Sequence, residues 1–139
     1  MFDLRLDRRL RDRDAEGEIA IGDTRKTFHV DLSLWDVEDY RASWRRSIAL
    51  VLNDGFARFL VSVGEPGQAM FDTWPCWRRG DEVLLINAIL LSSITGDFAR
   101  PQDAEVFDNE GPGPATTQYA CALADLVDFE RRLTGAARQ

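Results

Sequence analysis

The chain has few of the residues that usually carry chemistry. Among 139 residues there is one histidine, His29, and there are two cysteines, Cys76 and Cys121. The cysteines lie far apart and in no metal-ligand spacing, so they read as small buried hydrophobes rather than a disulfide, a metal site or a reactive thiol. His29 falls on the polar-facing register of an expected strand, where a lone histidine is more often a surface residue than a catalyst. No Gly-rich phosphate loop, nucleophile elbow, HExxH or paired-cysteine motif occurs. Gly111-Pro112-Gly113-Pro114 is turn chemistry, because proline removes the amide donors a phosphate cradle needs. We therefore expect no enzyme, no cofactor and no metal.

Long apolar runs are also missing. The most hydrophobic stretch, Val83 to Leu91, is interrupted by Asn87 and is too short to span a bilayer. The opening MFDLRLDRRLRDRD is charged throughout and lacks the apolar core of a secretory signal. No membrane contact is expected, and the cytoplasm is the default location. Basic residues are in deficit, 17 against 24 acidic, for a net charge of −7 and a pI near 4.7. That balance argues against direct binding of nucleic acid, which needs a concentrated basic surface. It suits a protein that binds something basic. At 45% hydrophobic and 29% charged the composition is that of an ordinary globular protein. A single domain over residues 1–139 is expected, with no staple required.

The clearest element runs from Leu32 to Gly55. Asp36 is placed to cap a helix, with Asp39 in the first turn. Tyr40, Trp44, Ile48 and Val51 recur at helical spacing, flanked by Val37 and Leu52, while Arg41, Arg45 and Arg46 take the other face. Asn53-Asp54-Gly55 closes it. Before the helix, Phe2–Leu10 alternates like a half-buried strand, Arg11–Glu18 reads as a charged loop, and Glu18–Gly22 and Thr27–Leu34 read as two short strands. In the latter, Phe28, Val30, Leu32 and Leu34 share one face, opposite His29, Asp31 and Ser33.

After the helix, strands are expected at Phe56–Val63, at Ala69–Arg78 and, past a tight hairpin at Arg79–Glu82, at Val83–Leu91. Pro75 suggests an edge or bulge position in the second of these. Ser92–Pro114 reads as a long irregular connection, Ala115–Ala120 as a short strand, and Leu123–Leu133 as a helix stopped by Gly135. The fold class is α+β: an antiparallel meander packed with one long central helix and a C-terminal helix.

Two surface features stand out. Asp97, Asp103, Glu105, Asp108 and Glu110 face Arg100 alone, with Phe98, Val106 and Phe107 embedded among them. Besides a solvated loop, this pattern fits an acidic recognition surface for a basic partner, and nucleases are obvious basic partners because they must attract nucleic acid. Trp74 and Trp77 lie three apart on an extended segment, so they face opposite sides; a sheet packed on both faces is the plainer reading, and otherwise one of them is a candidate contact residue beside Arg78 and Arg79.

The runs LSLWDVEDYRASWRRSIALVL, FLVSV, FDTWPCWRRGDEVLLINAILL and QYACALADLVDFERRL resemble the immunity proteins of bacterial contact-dependent growth inhibition systems. The residues that carry the resemblance are Leu32, Trp35, Asp36, Asp39, Tyr40, Ser43 and Trp44, then Asn87, then Asp128 and Phe129. It spans roughly Phe28 to Leu133, without a clear match in Ser92–Ala115, and its residues look like fold determinants. The resemblance implies an intracellular antitoxin that binds the C-terminal toxin domain of a large exoprotein, often a tRNA-cleaving nuclease, and occludes it stoichiometrically. Toxin contacts are then expected at Asp97, Asp103, Glu105, Asp108 and Glu110, with Trp77 as a lesser candidate. The partner is a protein, not nucleic acid or membrane, and self-association stays open. Two other classes compete: an adaptor or scaffold domain without a toxin partner, and a small enzyme with an unrecognised carboxylate site.

Overall fold

The computed structural model describes residues 1–11, 14–32, 35–63, 70–91 and 117–137. Their order is β1 (Phe2–Arg11), β2 (Asp14–Ile21), β3 (Thr24–Asp31), α1 (Val37–Asp54), β4 (Phe56–Ser62), β5 (Met70–Arg79), β6 (Glu82–Leu85), β7 (Ala88–Leu91), β8 (Tyr119–Ala122) and α2 (Leu123–Ala137). The α+β class holds, with the long helix and the C-terminal helix both present. The strands form two antiparallel sheets: β1-β2-β3, and β4-β5-β6-β8 with β7 also on β5.

The expected loop at Arg11–Glu18 is mostly strand, because β2 begins at Asp14. Its charges, Glu16 and Glu18, alternate with Ala15, Gly17 and Ile19, so the period is two and one face is free to be polar. β2 is the central strand of its sheet, and Glu18 is flanked by Arg5 at 3.3 Å and Arg25 at 2.8 Å. On the inner face Gly17 sits under the Phe28 ring. A Cβ there would lie 2.4 Å from the ring and 2.7 Å from the Arg5 carbonyl, so the close approach requires glycine.

Helix α1 is capped at both ends as its sequence predicts. The Asp36 carboxylate accepts from the Asp39 amide at 2.9 Å, and the Asp39 carboxylate accepts from the Asp36 amide at 3.0 Å, which makes a reciprocal capping box. Trp35, just outside the cap, stacks edge-on against Tyr40 at 5.2 Å and staples the incoming chain. Gly55, at φ 84°, ends the helix and donates to the Val51 carbonyl. Tyr40, Trp44, Ile48 and Val51 are all buried.

That stripe also finishes the edge of the second sheet. β4 is an edge strand, whose outward carbonyls would otherwise offer a pairing template. The Trp44 indole donates to the Leu60 carbonyl at 2.8 Å, and the Ser47 hydroxyl donates to the Arg58 carbonyl at 2.7 Å. The Tyr40 hydroxyl donates to the Asp31 carbonyl at 2.6 Å and accepts from the Val63 amide at 2.9 Å. One phenol oxygen thus ties the end of β3 to the end of β4, and burial pushes its pKa well up. Phe2, Phe59, Phe129 and Trp44 meet behind it, with ring centres 5.2–6.4 Å apart, and join both sheets to both helices.

Pro75 is not at an edge. β5 is flanked by β4 on one side and by β6 and β7 on the other. The expected strand Val83–Leu91 is present as two pieces in one register: Arg79↔Glu82 and Cys76↔Leu85 lead on to Thr73↔Ala88 and Met70↔Leu91. The gap falls opposite Pro75. Its carbonyl accepts from Ile86 at 3.1 Å, but it has no amide to return, so the ladder loses one bond there. Asn87, in the gap, donates its side-chain amide to the Asp72 carboxylate at 2.8 Å and to the Thr73 carbonyl at 3.1 Å.

Gly135 does not stop α2, which continues to Ala137. Glycine in a helix interior weakens it without breaking it, and the two alanines that follow are good helix formers. The buried stripe of α2 is Leu126, Phe129 and Leu133, with Leu123 partly buried against the core. Cys76 and Cys121 are free and buried in the core, where burial pushes both thiols up, Cys121 to about 12.

Candidate functional site

The hairpin β5–β6 positions the first candidate residue. Along β5, side chains alternate, so Trp74 and Cys76 share one face while Thr73, Pro75 and Trp77 share the other. Both faces are covered. Trp74 is 3% exposed and packs 5.7 Å from the Tyr119 ring, and Trp77 is 4% exposed and packs 5.4 Å from Phe56. A partner can therefore touch no more than an edge of the Trp77 indole. The basic pair beside it is exposed. Arg78 is spent on the turn, donating from Nη1 to the Leu52 carbonyl at 2.9 Å and from Nε to the Gly80 carbonyl at 3.1 Å. The other candidates, Asp97, Asp103, Glu105, Asp108 and Glu110, lie outside the described residues.

The single histidine sits on the outer face of the first sheet, as its register predicts. His29 Nε2 lies 3.0 Å from an Asp14 carboxylate oxygen, and both side chains are well exposed. Next to it runs the Arg5–Glu18–Arg25 cluster. The buried cysteines, their thiols held protonated, are inert as nucleophiles. Among the described residues no group of His, Cys, Asp and Glu is placed to hold a metal ion. No described helix is long and apolar enough to cross a membrane.

Two concavities are built by residues that sequence spacing does not connect. A cleft of about 440 Å³ between the sheets is lined by Arg25, Lys26 and Thr27 of β3, with Asp72, Trp74 and Asn87 opposite. Burial raises the pKa of Asp72, against the opposing effect of its Asn87 hydrogen bond. Lys26 lies over the Tyr119 ring, 5.5 Å from its centre. The second concavity is a groove of about 360 Å³ where β1, α1 and α2 meet, lined by Leu4, Arg5, Arg41, Phe129, Arg132 and Leu133, with Asp3 at its side. Nothing in the local sequence around positions 5, 41 and 132 announces that these arginines converge.

Comparison with known proteins gives one family and one fold. Residues 30–110 match the family model described as the CdiI N-terminal domain. The curated "Immunity protein CdiI" of Enterobacter cloacae subsp. cloacae is 27% identical over 122 residues, which is 83% of this chain and 83% of that protein. In solved structures, a chain of a "CdiA-CT/CdiI toxin and immunity complex from Enterobacter cloacae" superposes with a TM-score of 0.82 at 23% identity. That match covers 97% of this chain and 99% of the other. At that identity it is a likeness of fold.

Proposed function

The chain belongs to the CdiI N-terminal domain family, and from that membership we propose that it is an immunity protein. It binds the cognate C-terminal toxin domain of a contact-dependent growth inhibition exoprotein and neutralises it. The observation that carries this reading is the family match over residues 30–110, a span that takes in α1, β4, the β5–β6 hairpin and the acidic residues after it. The charge pairs of the outer surface suit recognition of a charged partner. Inhibition is stoichiometric occlusion without turnover, and it takes place in the cytoplasm of the protected cell.

Charge supports the nature of the partner. A net charge of −7 favours fast encounter with a basic protein, and a toxin that attacks nucleic acid, tRNA among the possible targets, is basic for its own purposes. The contact is assigned to Asp97, Asp103, Glu105, Asp108 and Glu110, with the well-capped α1 acting as scaffold. Trp77 contributes no more than its exposed edge.

The test is coexpression with the toxin domain encoded by the neighbouring exoprotein gene. Survival of the host and copurification of the two chains in equal amounts are the expected results. Death of cells that express both at matched levels, with no complex recovered, would sink the reading.

A further inference from the structure

Three arginines from distant parts of the chain meet over one apolar floor. Arg5 comes from β1, Arg41 from the second turn of α1 and Arg132 from α2, and Leu4, Phe129 and Leu133 lie beneath them. The floor is continuous with the core, since those three residues are 2%, 2% and 6% exposed. Each arginine is steadied by a carboxylate, Arg5 by Glu18, Arg41 by Glu38 and Arg132 by Asp3. The groove thus gathers three guanidiniums in one place in a protein whose net charge is −7.

The arginines are held in place, yet two of them keep donors to spare. Arg132 donates from Nη2 to the Phe2 carbonyl at 2.8 Å and, at 3.5 Å, to an Asp3 carboxylate oxygen, and its guanidinium lies 5.8 Å from the centre of the Phe129 ring. Arg41 is steadied by Glu38 through Nη1 at 2.9 Å. Among the described residues the second terminal nitrogen of each has no partner. A guanidinium whose stem is packed and whose fork is half used is pre-organised to take a carboxylate. The aliphatic stems of the arginines suit an apolar side chain next to that carboxylate, and anchored arginines are enriched at interface hot spots.

We propose that this groove receives an acidic side chain of the toxin domain, an aspartate or glutamate flanked by an aliphatic or aromatic residue. The carboxylate meets the guanidiniums of Arg41 and Arg132, and the apolar neighbour lies against the aliphatic stems of those arginines, with Phe129 and Leu133 closed beneath them. This rests on the immunity reading and adds a second contact of opposite sign to the acidic segment. Two contacts of opposite sign fix orientation as well as attraction, which an acidic patch alone does not. A nucleic-acid phosphate is the weaker occupant, because a polyanion must approach against the overall negative charge.

The test is titration of the toxin domain into the unmodified protein and into Arg41→Glu, with Arg46→Glu as a control on the exposed face of the same helix. Arg132 is left intact because its bond to Phe2 supports the fold. The expected result is at least a tenfold loss of affinity for Arg41→Glu, little change for Arg46→Glu, and equal melting temperatures for all three. In parallel, the Nε–Hε signals of Arg41 and Arg132 in the unmodified protein should shift on adding the toxin domain. Full affinity in Arg41→Glu, or equal losses in the two variants, overturns the groove while leaving the immunity reading standing. Saturable binding of a short RNA oligonucleotide that Arg41→Glu abolishes overturns the choice of a protein carboxylate. Absence of any complex with the unmodified protein overturns the immunity reading and this proposal with it.

Discussion

Tyr40→Phe removes one oxygen atom and with it one bridge between the two sheets, beside the bond that the Asp31 amide donates to the Ser62 hydroxyl at 3.1 Å. That hydroxyl donates to the Asp31 carbonyl and accepts from the Val63 amide, at 2.6 and 2.9 Å, and Tyr40 is fully buried. The phenylalanine keeps the ring, so the edge contact with Trp35 and the tilted contact with Trp44 survive. What is lost is polar. The Val63 amide is buried and is left without its acceptor, whereas the part-buried Asp31 carbonyl can turn partly to water. A buried donor left unsatisfied costs about 1–3 kcal/mol and a lost ordinary hydrogen bond about 1 kcal/mol, so the total is roughly 2–4 kcal/mol. With an unfolding entropy of roughly 2.1 cal/mol/K per residue over 139 residues, that corresponds to a fall of about 7–14 °C in Tm. Urea titration should show a lower midpoint with an unchanged slope, and the Val63 amide should exchange with solvent faster than its neighbours in β4. A loss below about 0.5 kcal/mol, the range of ordinary surface substitutions, would refute the claim that this oxygen joins the sheets.

Gly17→Ala should destabilise by about 1–3 kcal/mol or more, read as a drop in Tm, because the new methyl collides with both the Phe28 ring and an unyielding backbone carbonyl. Phe28→Leu in the same background should recover part of the loss. Asp72→Asn should stabilise the protein at neutral pH. Burial raises the folded pKa of Asp72 above its ordinary 3.8, so the wild type loses stability as pH rises from that value through the folded pKa. The advantage of the asparagine should therefore vanish in melts below about pH 4, and an advantage independent of pH would show the cause to be something other than the charge. Reversing Asp103 and Glu105 to lysine should weaken the toxin complex by tenfold or more at low salt, with Tm unchanged; full affinity in a low-salt titration would remove that segment from the interface.

Local chemistry was legible wherever it needed no distant partner. The capping box at Asp36 and Asp39, the Tyr40–Trp44–Ile48–Val51 stripe, the stop at Gly55 and the turn before Glu82 depend on residues within a few positions of each other. Such short-range signals survive in any context, and the family resemblance rests largely on the same residues. The acidic segment was equally plain as composition, although its part in binding is a matter for the toxin titration.

Tertiary structure decided what depends on neighbours across sheets. Residues Asp14–Glu18 are too charged to suggest a strand alone, and they pair because Arg5, Arg25 and His29 face them from β1 and β3. Pro75 reads as an edge or bulge residue, yet β5 is central and keeps its register there, because one missing amide opens only a local gap in a ladder held on both sides. Trp77 reads either as packing within a sheet covered on both faces or as a contact residue, and only the tertiary structure shows it 4% exposed. The Arg5–Arg41–Arg132 groove lay wholly outside the reach of the sequence: the first pair is 36 positions apart and the second 91 (41 − 5 and 132 − 41), and packing of β1 against both helices is what brings them together. Periodicity reports which face of an element is buried, whereas convergence of charges depends on how those faces are stacked.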